Sequence, residues 1–240
     1  MKIHAVIPAR GGSKGLPGKN IVDFCGRPLV AWSISCARES TAIERVWVTT
    51  DDPCIAEVAH SYGAGVINRP AEISGDAATS ESALIHAVGV INSAGEPPTH
   101  LMFLQATSPL REPAELDGAA RTLSKQQLDS LFSAAPAGDF CLWKRTGNAL
   151  ESMSFDYRAR GRRQDNEDES IWIETGSFYL TEIRGLLQSG NRLHGHIGLY
   201  EVESWKVFEI DDAAGLLLCQ SLFTEKLLQT TQPPEYHADH

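Results

Sequence analysis

Ile7-Pro8-Ala9-Arg10-Gly11-Gly12-Ser13-Lys14-Gly15-Leu16-Pro17-Gly18-Lys19-Asn20 is the stretch on which the reading of this chain turns. The apolar run from Ile3 to Pro8 predicts a short buried strand that feeds a Gly-rich loop. Four glycines let the loop's backbone come close to a ligand and offer successive N–H groups as an anion nest. Arg10, Lys14 and Lys19 add positive charge to neutralise phosphate. The spacing from Gly12 to Lys19 is not that of GxxxxGK[ST], so this is no P-loop. GxGxxG is absent too, which excludes the dinucleotide fingerprint. A bare Gly-rich surface loop is the bland alternative, and three cations placed directly after a first strand argue against it.

Working outward, the chain alternates strand and helix. The pattern predicts a helix from Pro28 to Arg38 and a β-branched strand from Arg45 to Thr50. Asp52 and Pro53 then open a helix as N-cap and first helical residue. A strand from Gly65 to Asn68 follows, then a helix from Ser82 to Ser93 and a strand from Leu101 to Leu104. Pro113 starts a further helix, and Ser130 to Ala135 reads as a strand. Such alternation with short connections predicts an α/β fold, a doubly wound, mostly parallel sheet. Ligands bind such sheets at the carboxyl ends of the strands.

The rhythm breaks at Pro136. Residues 136–170 are polar and irregular in sequence and carry a dense charged run from Arg158 to Glu169. We read them as an insertion between two parts of one α/β domain, 1–135 and 171–229. The second part is expected to hold a strand from Ser177 to Thr181, a helix from Glu182 to Gln188, a strand from Gly198 to Val202, the segment Lys206 to Asp211 and a closing helix from Asp212. Residues 230–240, with Pro233-Pro234, are expected to be a flexible tail.

Composition narrows the partners. The 240 residues carry 21 basic and 31 acidic side chains, a formal charge of −10. That argues against a nucleic-acid binder, which presents an overall basic face. Within the first 27 residues the sign reverses: Lys2, Arg10, Lys14, Lys19 and Arg27 stand against Asp23 alone. A local site for a polyanion follows. Five widely spaced cysteines without a CxxC predict free thiols. No apolar run approaches the roughly 20 residues of a membrane span, and no signal-peptide h-region is readable, so a cytoplasmic protein is expected.

Further motifs make the reading specific. IPARGGSKGLPGKN resembles the N-terminal signature of CMP-sialic acid synthetases, the acylneuraminate cytidylyltransferases. Val48-Thr49-Thr50-Asp51-Asp52 resembles that family's strand ending in an acidic turn, and Asn68-Arg69-Pro70-Ala71-Glu72 its RPxE element. Leu104-Gln105-Ala106-Thr107-Ser108-Pro109-Leu110-Arg111 is similar to LQPTSPLR. Arg163-Gln164-Asp165, Thr175-Gly176-Ser177-Phe178-Tyr179 and Glu209-Ile210-Asp211 resemble its RQ(D), NGxxY and IDIDT elements, in the family's order.

The resemblance implies a Rossmann-like nucleotidyltransferase that joins a sialic acid-like nonulosonate to CMP, using CTP and releasing pyrophosphate. It implies that Arg10, Gly11, Gly12, Ser13, Lys14 and Lys19 hold the triphosphate, with Asn20 fixing the loop or the nucleotide. Arg69, Thr79 and Ser80 would lie near cytosine and ribose. Gln105, Thr107, Ser108, Thr175 and Tyr179 would line the sugar's crevice, and Arg163 would meet its carboxylate or a phosphate. Arg10, Lys14, Lys19, Gln105 and Asp211 are the expected catalytic set. Glu209 and Asp211, spaced i, i+2, would share one face of a strand. As hard oxygen ligands they suit Mg2+. The region of Trp143 and Trp172 would carry the contacts of a homodimer.

Three departures from the family bear on the acceptor sugar: Ala106 for Pro, Thr175 for Asn and Glu209 for Asp. They leave legionaminic and pseudaminic types open beside the N-acylneuraminates. The competing readings are a transferase for another sugar, such as 3-deoxy-manno-octulosonate, and a non-catalytic binding protein of the same fold. His194 and His196 could share a strand face and bind a metal; no third ligand is evident, and we read them as polar surface.

Overall fold

Asp52 shows how local chemistry sets the elements. Its side chain accepts from the N–H groups of Cys54 at 2.8 Å and Ile55 at 3.1 Å, with Pro53 in the first helical position. Two donors that a helix start leaves orphaned are thereby satisfied. The computed structural model describes residues 1–95, 97–138, 140–158 and 171–236.

In chain order the elements are β1 (Ile3–Pro8), β2 (Asp23–Phe24), β3 (Arg27–Pro28), α1 (Leu29–Glu39), β4 (Ile43–Thr50), α2 (Pro53–Ser61), β5 (Gly65–Asn68), α3 (Ser80–Ser93) and β6 (His100–Leu104). Then come α4 (Pro113–Gln126), β7 (Ser130–Pro136), β8 (Trp143–Thr146), β9 (Ala149–Ser152), β10 (Trp172–Glu182), α5 (Ile183–Ser189), β11 (Ile197–Glu201) and α6 (Ala213–Lys226). Seven strands form one sheet in the order β11-β7-β10-β6-β1-β4-β5. β1 pairs in parallel with β4 and β6, β4 with β5, and β7 with β11. Residues Ile3 to Ile7 of β1 are all buried, as a central strand covered on both faces requires. One core face gathers Ile7, Val30, Ile34, Val48, Leu104 and Leu116; the other gathers Val6, Ile67, Leu84, Val88, Ile91 and Phe103.

The doubly wound, mostly parallel sheet is the one expected, with one strand whose direction the rhythm did not reveal. β10 enters between β6 and β7 and runs antiparallel to both. It is also longer than the expected Ser177 to Thr181. Its register with β7 shifts between Glu174 and Tyr179, where Gly176 adopts φ +67°. From β1 the chain steps to β4 and β5 on one side, then returns to β6 on the other. The crevice at the carboxyl ends of β1 and β6 is thus a topological switch point.

Two expectations need correction, and the tail has contacts of its own. The insertion is not irregular throughout: β8 and β9 form a two-stranded hairpin that, among the described residues, pairs with no other strand. Residues of the tail up to Tyr236 make contacts with the domain. The Arg27 Nε–H donates to the Pro234 carbonyl at 3.2 Å, and the Tyr236 ring meets that of Tyr62 edge-on at 5.9 Å. Glu209 to Asp211 is not a strand, because Ser204–Val207 is a 3-10 turn and the chain then runs irregularly into the Asp212 cap of α6.

Candidate functional site

Pro8 ends β1, and the loop beyond it folds over the carboxyl ends of β1 and β6. A cavity of about 560 Å3 opens there. Its walls carry the cations Arg10, Lys14, Lys19 and Arg69, together with the carboxylates Asp76, Glu209 and Asp211. Ser13, Asn20, Thr79, Ser80, Gln105 and Thr107 add neutral polar groups. A cavity this polar, rich in cations, suits an anion far better than an apolar molecule.

The loop is held by its own chemistry. The Asn20 side-chain amide is buried and donates to the Arg10 carbonyl at 2.9 Å. The Gly11 N–H donates to Asp51 Oδ1 at 3.2 Å, the Ser13 N–H to the Gly11 carbonyl at 3.0 Å, and the Lys19 N–H to the Leu16 carbonyl at 3.1 Å. These three amides are engaged within the protein, and the side chains of Arg10, Lys14 and Lys19 face the cavity. Gly11 and Gly12 flank the cavity without lining it.

Long-range contacts bring the acidic segment to the loop. The Ile210 N–H donates to the Thr107 carbonyl at 2.8 Å, and the Ile210 side chain is buried. Glu209 and Asp211 therefore both reach the cavity from either side of an anchored apolar residue, without a strand. Gly15 allows the close approach, since a Cβ there would lie 2.2 Å from the Asp211 carbonyl oxygen. The Lys19 ammonium donates to Asp211 Oδ1 at 3.1 Å. Burial, and after it the charge of Asp211, push the Glu209 carboxyl above the usual range. A buried carboxyl beside a second carboxylate is a place where a divalent cation would be welcome. Among the described residues no group of three or more His, Cys, Asp or Glu could hold a metal. The pair would need ligand oxygens or water to complete a shell, which is how Mg2+ is usually bound.

Two buried cations fix this architecture. Arg111, wholly buried, donates from Nε to Ser177 Oγ at 3.0 Å and from Nη2 to the carbonyls of Gln105 and Ser108. It ties the Gln105–Ser108 turn to β10, and its burial lowers its pKa to about 10. Lys206, 2% exposed, donates to Glu112 Oε2 and Glu115 Oε1, both at 2.7 Å. Burial alone would lower its pKa, but the two carboxylates outweigh it and leave it raised. This triad anchors the turn before Glu209 to the start of α4.

The expected residues divide. Arg10, Ser13, Lys14, Lys19, Asn20, Arg69, Thr79, Ser80, Gln105, Thr107, Glu209 and Asp211 are brought together on one cavity. Burial lowers the Arg69 pKa, and its guanidinium donates to the Thr49 carbonyl. The Gln105 amide donates to the Gly176 carbonyl at 2.7 Å. Ser108, Thr175 and Tyr179 do not line the cavity. Ser108 is buried beneath the turn. The Thr175 hydroxyl pairs with Ser133 Oγ at 2.7 Å inside the sheet. Tyr179 stacks on Phe103, its hydroxyl donates to Glu174, and Arg192 lies over its ring at 4.4 Å. Arg163 lies outside the described residues. The two histidines do not share a strand face: Gly195 between them turns at φ +61°, His194 Nε2 lies 2.9 Å from Thr181 Oγ1, part-buried, and His196 is exposed polar surface as read. Sequence reasoning missed Asp76 and Phe103. Asp76 stands in a loop with no pattern to mark it, and Phe103 passed as an ordinary strand residue.

Comparison with known proteins gives the chain a family. The family described as cytidylyltransferase matches residues 4–162. N-acylneuraminate cytidylyltransferase A of Danio rerio is 36% identical over 217 residues, which cover 87% of this chain and 48% of that protein. The chain thus spans about half the length of that relative, and 40% of an Oncorhynchus mykiss N-acylneuraminate cytidylyltransferase that is 38% identical over 182 residues. A pseudaminic acid cytidylyltransferase of Campylobacter jejuni is 39% identical over 227 residues, 93% of this chain and 97% of that one. A solved CMP:2-keto-3-deoxy-manno-octonic acid synthetase, complexed with CTP, shares the fold with a TM-score of 0.70 at 19% identity, over 95% of this chain and 100% of that one. With a family match over more than half its length and a relative of 39% identity matched nearly end to end, the chain belongs to the cytidylyltransferase family.

Proposed function

We propose that the chain transfers CMP from CTP to the anomeric hydroxyl of a sialic acid-like nonulosonate and releases pyrophosphate. The observation that carries this reading is the meeting of Arg10, Lys14 and Lys19 with the Glu209–Asp211 pair on one cavity at the switch point of the sheet. The names of the relatives, N-acylneuraminate and pseudaminic acid cytidylyltransferases, support both the nucleotide and the sugar class. Phosphoryl transfer of this kind depends mainly on positioning and on neutralising charge. In this reading Arg10, Lys14 and Lys19 take the triphosphate, while Arg69, Thr79 and Ser80 orient the cytidine. Gln105, fixed by the Gly176 carbonyl, and Thr107 orient the acceptor hydroxyl toward the α-phosphate. Arg163 takes the sugar's carboxylate or a phosphate.

Glu209 and Asp211 would hold Mg2+, which offsets charge on the α-phosphate and lowers the pKa of a nearby hydroxyl. The inward turn of Thr175 supports a binding site for the sugar that lacks one polar contact, and so a nonulosonate other than N-acetylneuraminate remains within the class. We further propose a homodimer built on residues 136–170. Phe140, Leu142, Trp143, Leu150, Met153 and Tyr157 are exposed around a hairpin that has no further strand partner among the described residues. Isolated two-stranded hairpins are marginal in water, so a covering surface is physically favoured. Among the described residues no helix is long and apolar enough to cross a membrane, and the cytoplasm is our proposed location.

Pyrophosphate release with each of the four nucleoside triphosphates, against a panel of keto-acid sugars, tests the function. Selective turnover with CTP and a nonulosonate is expected. Comparable rates with UTP or GTP would sink the nucleotide assignment. Turnover confined to 3-deoxy-manno-octulosonate would favour that rival substrate.

A further inference from the structure

Each cation of the N-terminal loop that faces the cavity already has a carboxylate. Lys19 has Asp211, and Arg10 and Lys14 share Asp76. Asp76 gives one oxygen to each: Arg10 Nη1 lies 3.1 Å from Oδ1 and Lys14 Nζ 2.7 Å from Oδ2. A phosphoryl group would offer its oxygens to these two side chains in the same divergent way. Asp76 comes from a different part of the chain, the connection between β5 and α3, beside a turn closed by the Ala78 N–H on the Gly75 carbonyl at 3.0 Å. Space surrounds the turn, because a Cβ added at Gly75 would meet nothing within 4 Å. Its hydrogen bond from Lys14 holds the Asp76 carboxyl below the ordinary range. Both partners are open to water, with the Lys14 side chain 79% and that of Asp76 52% exposed. Pairs this exposed exchange readily for a stronger anion.

We propose that Asp76 is a specificity-determining residue of this cavity, a resident counter-anion on Arg10 and Lys14 that only a phosphate chain of higher negative charge displaces. The proposal rests on the reading of the cavity as a triphosphate site. Asp76 offsets one of the two positive charges of Arg10 and Lys14, so a neutral ligand gains nothing there and an anion must bring more than one negative charge to displace it. A polyphosphate brings several charges and wins the exchange. Asp76 then competes again as pyrophosphate leaves, which opposes rebinding of that product.

Equilibrium binding of CTP, inorganic pyrophosphate and cytidine, by calorimetry at low salt without divalent metal, tests this on wild type, Asp76→Asn and Asp76→Glu. Asp76→Asn keeps the shape and removes the competing charge. It should tighten pyrophosphate and CTP about threefold or more and leave cytidine unchanged, since the like charge facing the phosphates is gone. Asp76→Glu, which restores the charge, should return both toward wild type. Equal or weaker binding of pyrophosphate and CTP to Asp76→Asn, with thermal melts showing an intact fold, overturns the proposal. CTP binding that ignores Asp76 refutes this inference alone. Pyrophosphate binding that responds to Asp76, in a chain that binds no CTP, refutes the nucleotide reading while the counter-anion role stands. Binding of neither ligand to any variant refutes both.

Discussion

Lys19→Ala is the substitution that bears most directly on the site. The side chain is only 14% exposed, its ammonium lies 3.1 Å from Asp211 Oδ1, and it faces the same cavity as Arg10 and Lys14. Its loss does two things at once. It removes one cation available to a phosphate, and it leaves Asp211 unpartnered beside Glu209. A hydrogen bond to a charged group contributes about 1.5–3 kcal/mol. At about 1.36 kcal/mol per tenfold change, kcat/KM for CTP should fall roughly 10- to 150-fold. Initial rates of pyrophosphate release at saturating sugar measure this directly. Metal-free CTP affinity adds a second arm. Asp211→Asn should tighten CTP in the wild-type background by freeing Lys19, and do so less in the Lys19→Ala background. Such coupling between touching residues is typically about 0.5–3 kcal/mol. A kcat/KM within about threefold of wild type, or strictly additive effects in the cycle, would show that the loop does not receive the phosphates.

Other outcomes follow from the same geometry. Asp211→Asn should abolish most Mg2+-dependent turnover with the fold intact while Glu209→Asp is tolerated; a Mg2+ titration of initial rates with melts as control decides, and an unchanged midpoint for Asp211→Asn places the metal elsewhere. Gly176→Ala should lower kcat sharply, because the residue sits at φ +67° and its Cβ would lie 2.2 Å from Glu209 Oε1 and 2.5 Å from Gln105 Nε2; wild-type kinetics would contradict this. Lys206→Met leaves Glu115 buried without its partner and should cost about 3 kcal/mol, read as a fall in Tm of several degrees, and an unchanged Tm would refute the anchoring role. Light scattering at assay concentration should give a dimer that Leu150→Asp weakens; a monomeric wild type ends that idea.

Much of this was legible in the residues themselves. The βα rhythm, the Asp52-Pro53 helix start and the buried run of β1 depend on periodicity and capping, which act over a few neighbours. So does the Gly-rich loop with Arg10, Lys14 and Lys19, whose charge reversal in an acidic chain marks a polyanion site. Side-chain direction at longer range was not legible. Ser108, Thr175 and Tyr179 sit inside matching motifs, yet their polar atoms are buried or engaged away from the cavity, because β10 inserts antiparallel and Ser133, Glu174 and Arg192 meet them there. Glu209 and Asp211 do share the cavity, but by the anchoring of Ile210 to Thr107 and of Lys206 to α4, and not by the strand alternation that their spacing suggested. Asp76 carries no local signature at all. Local sequence determined which groups are present and the elements that bear them. Which of these groups meet is set by contacts between residues tens to nearly two hundred positions apart, such as Lys19 with Asp211 and Arg10 with Asp76, and only the packed sheet brings those pairs within hydrogen-bond distance.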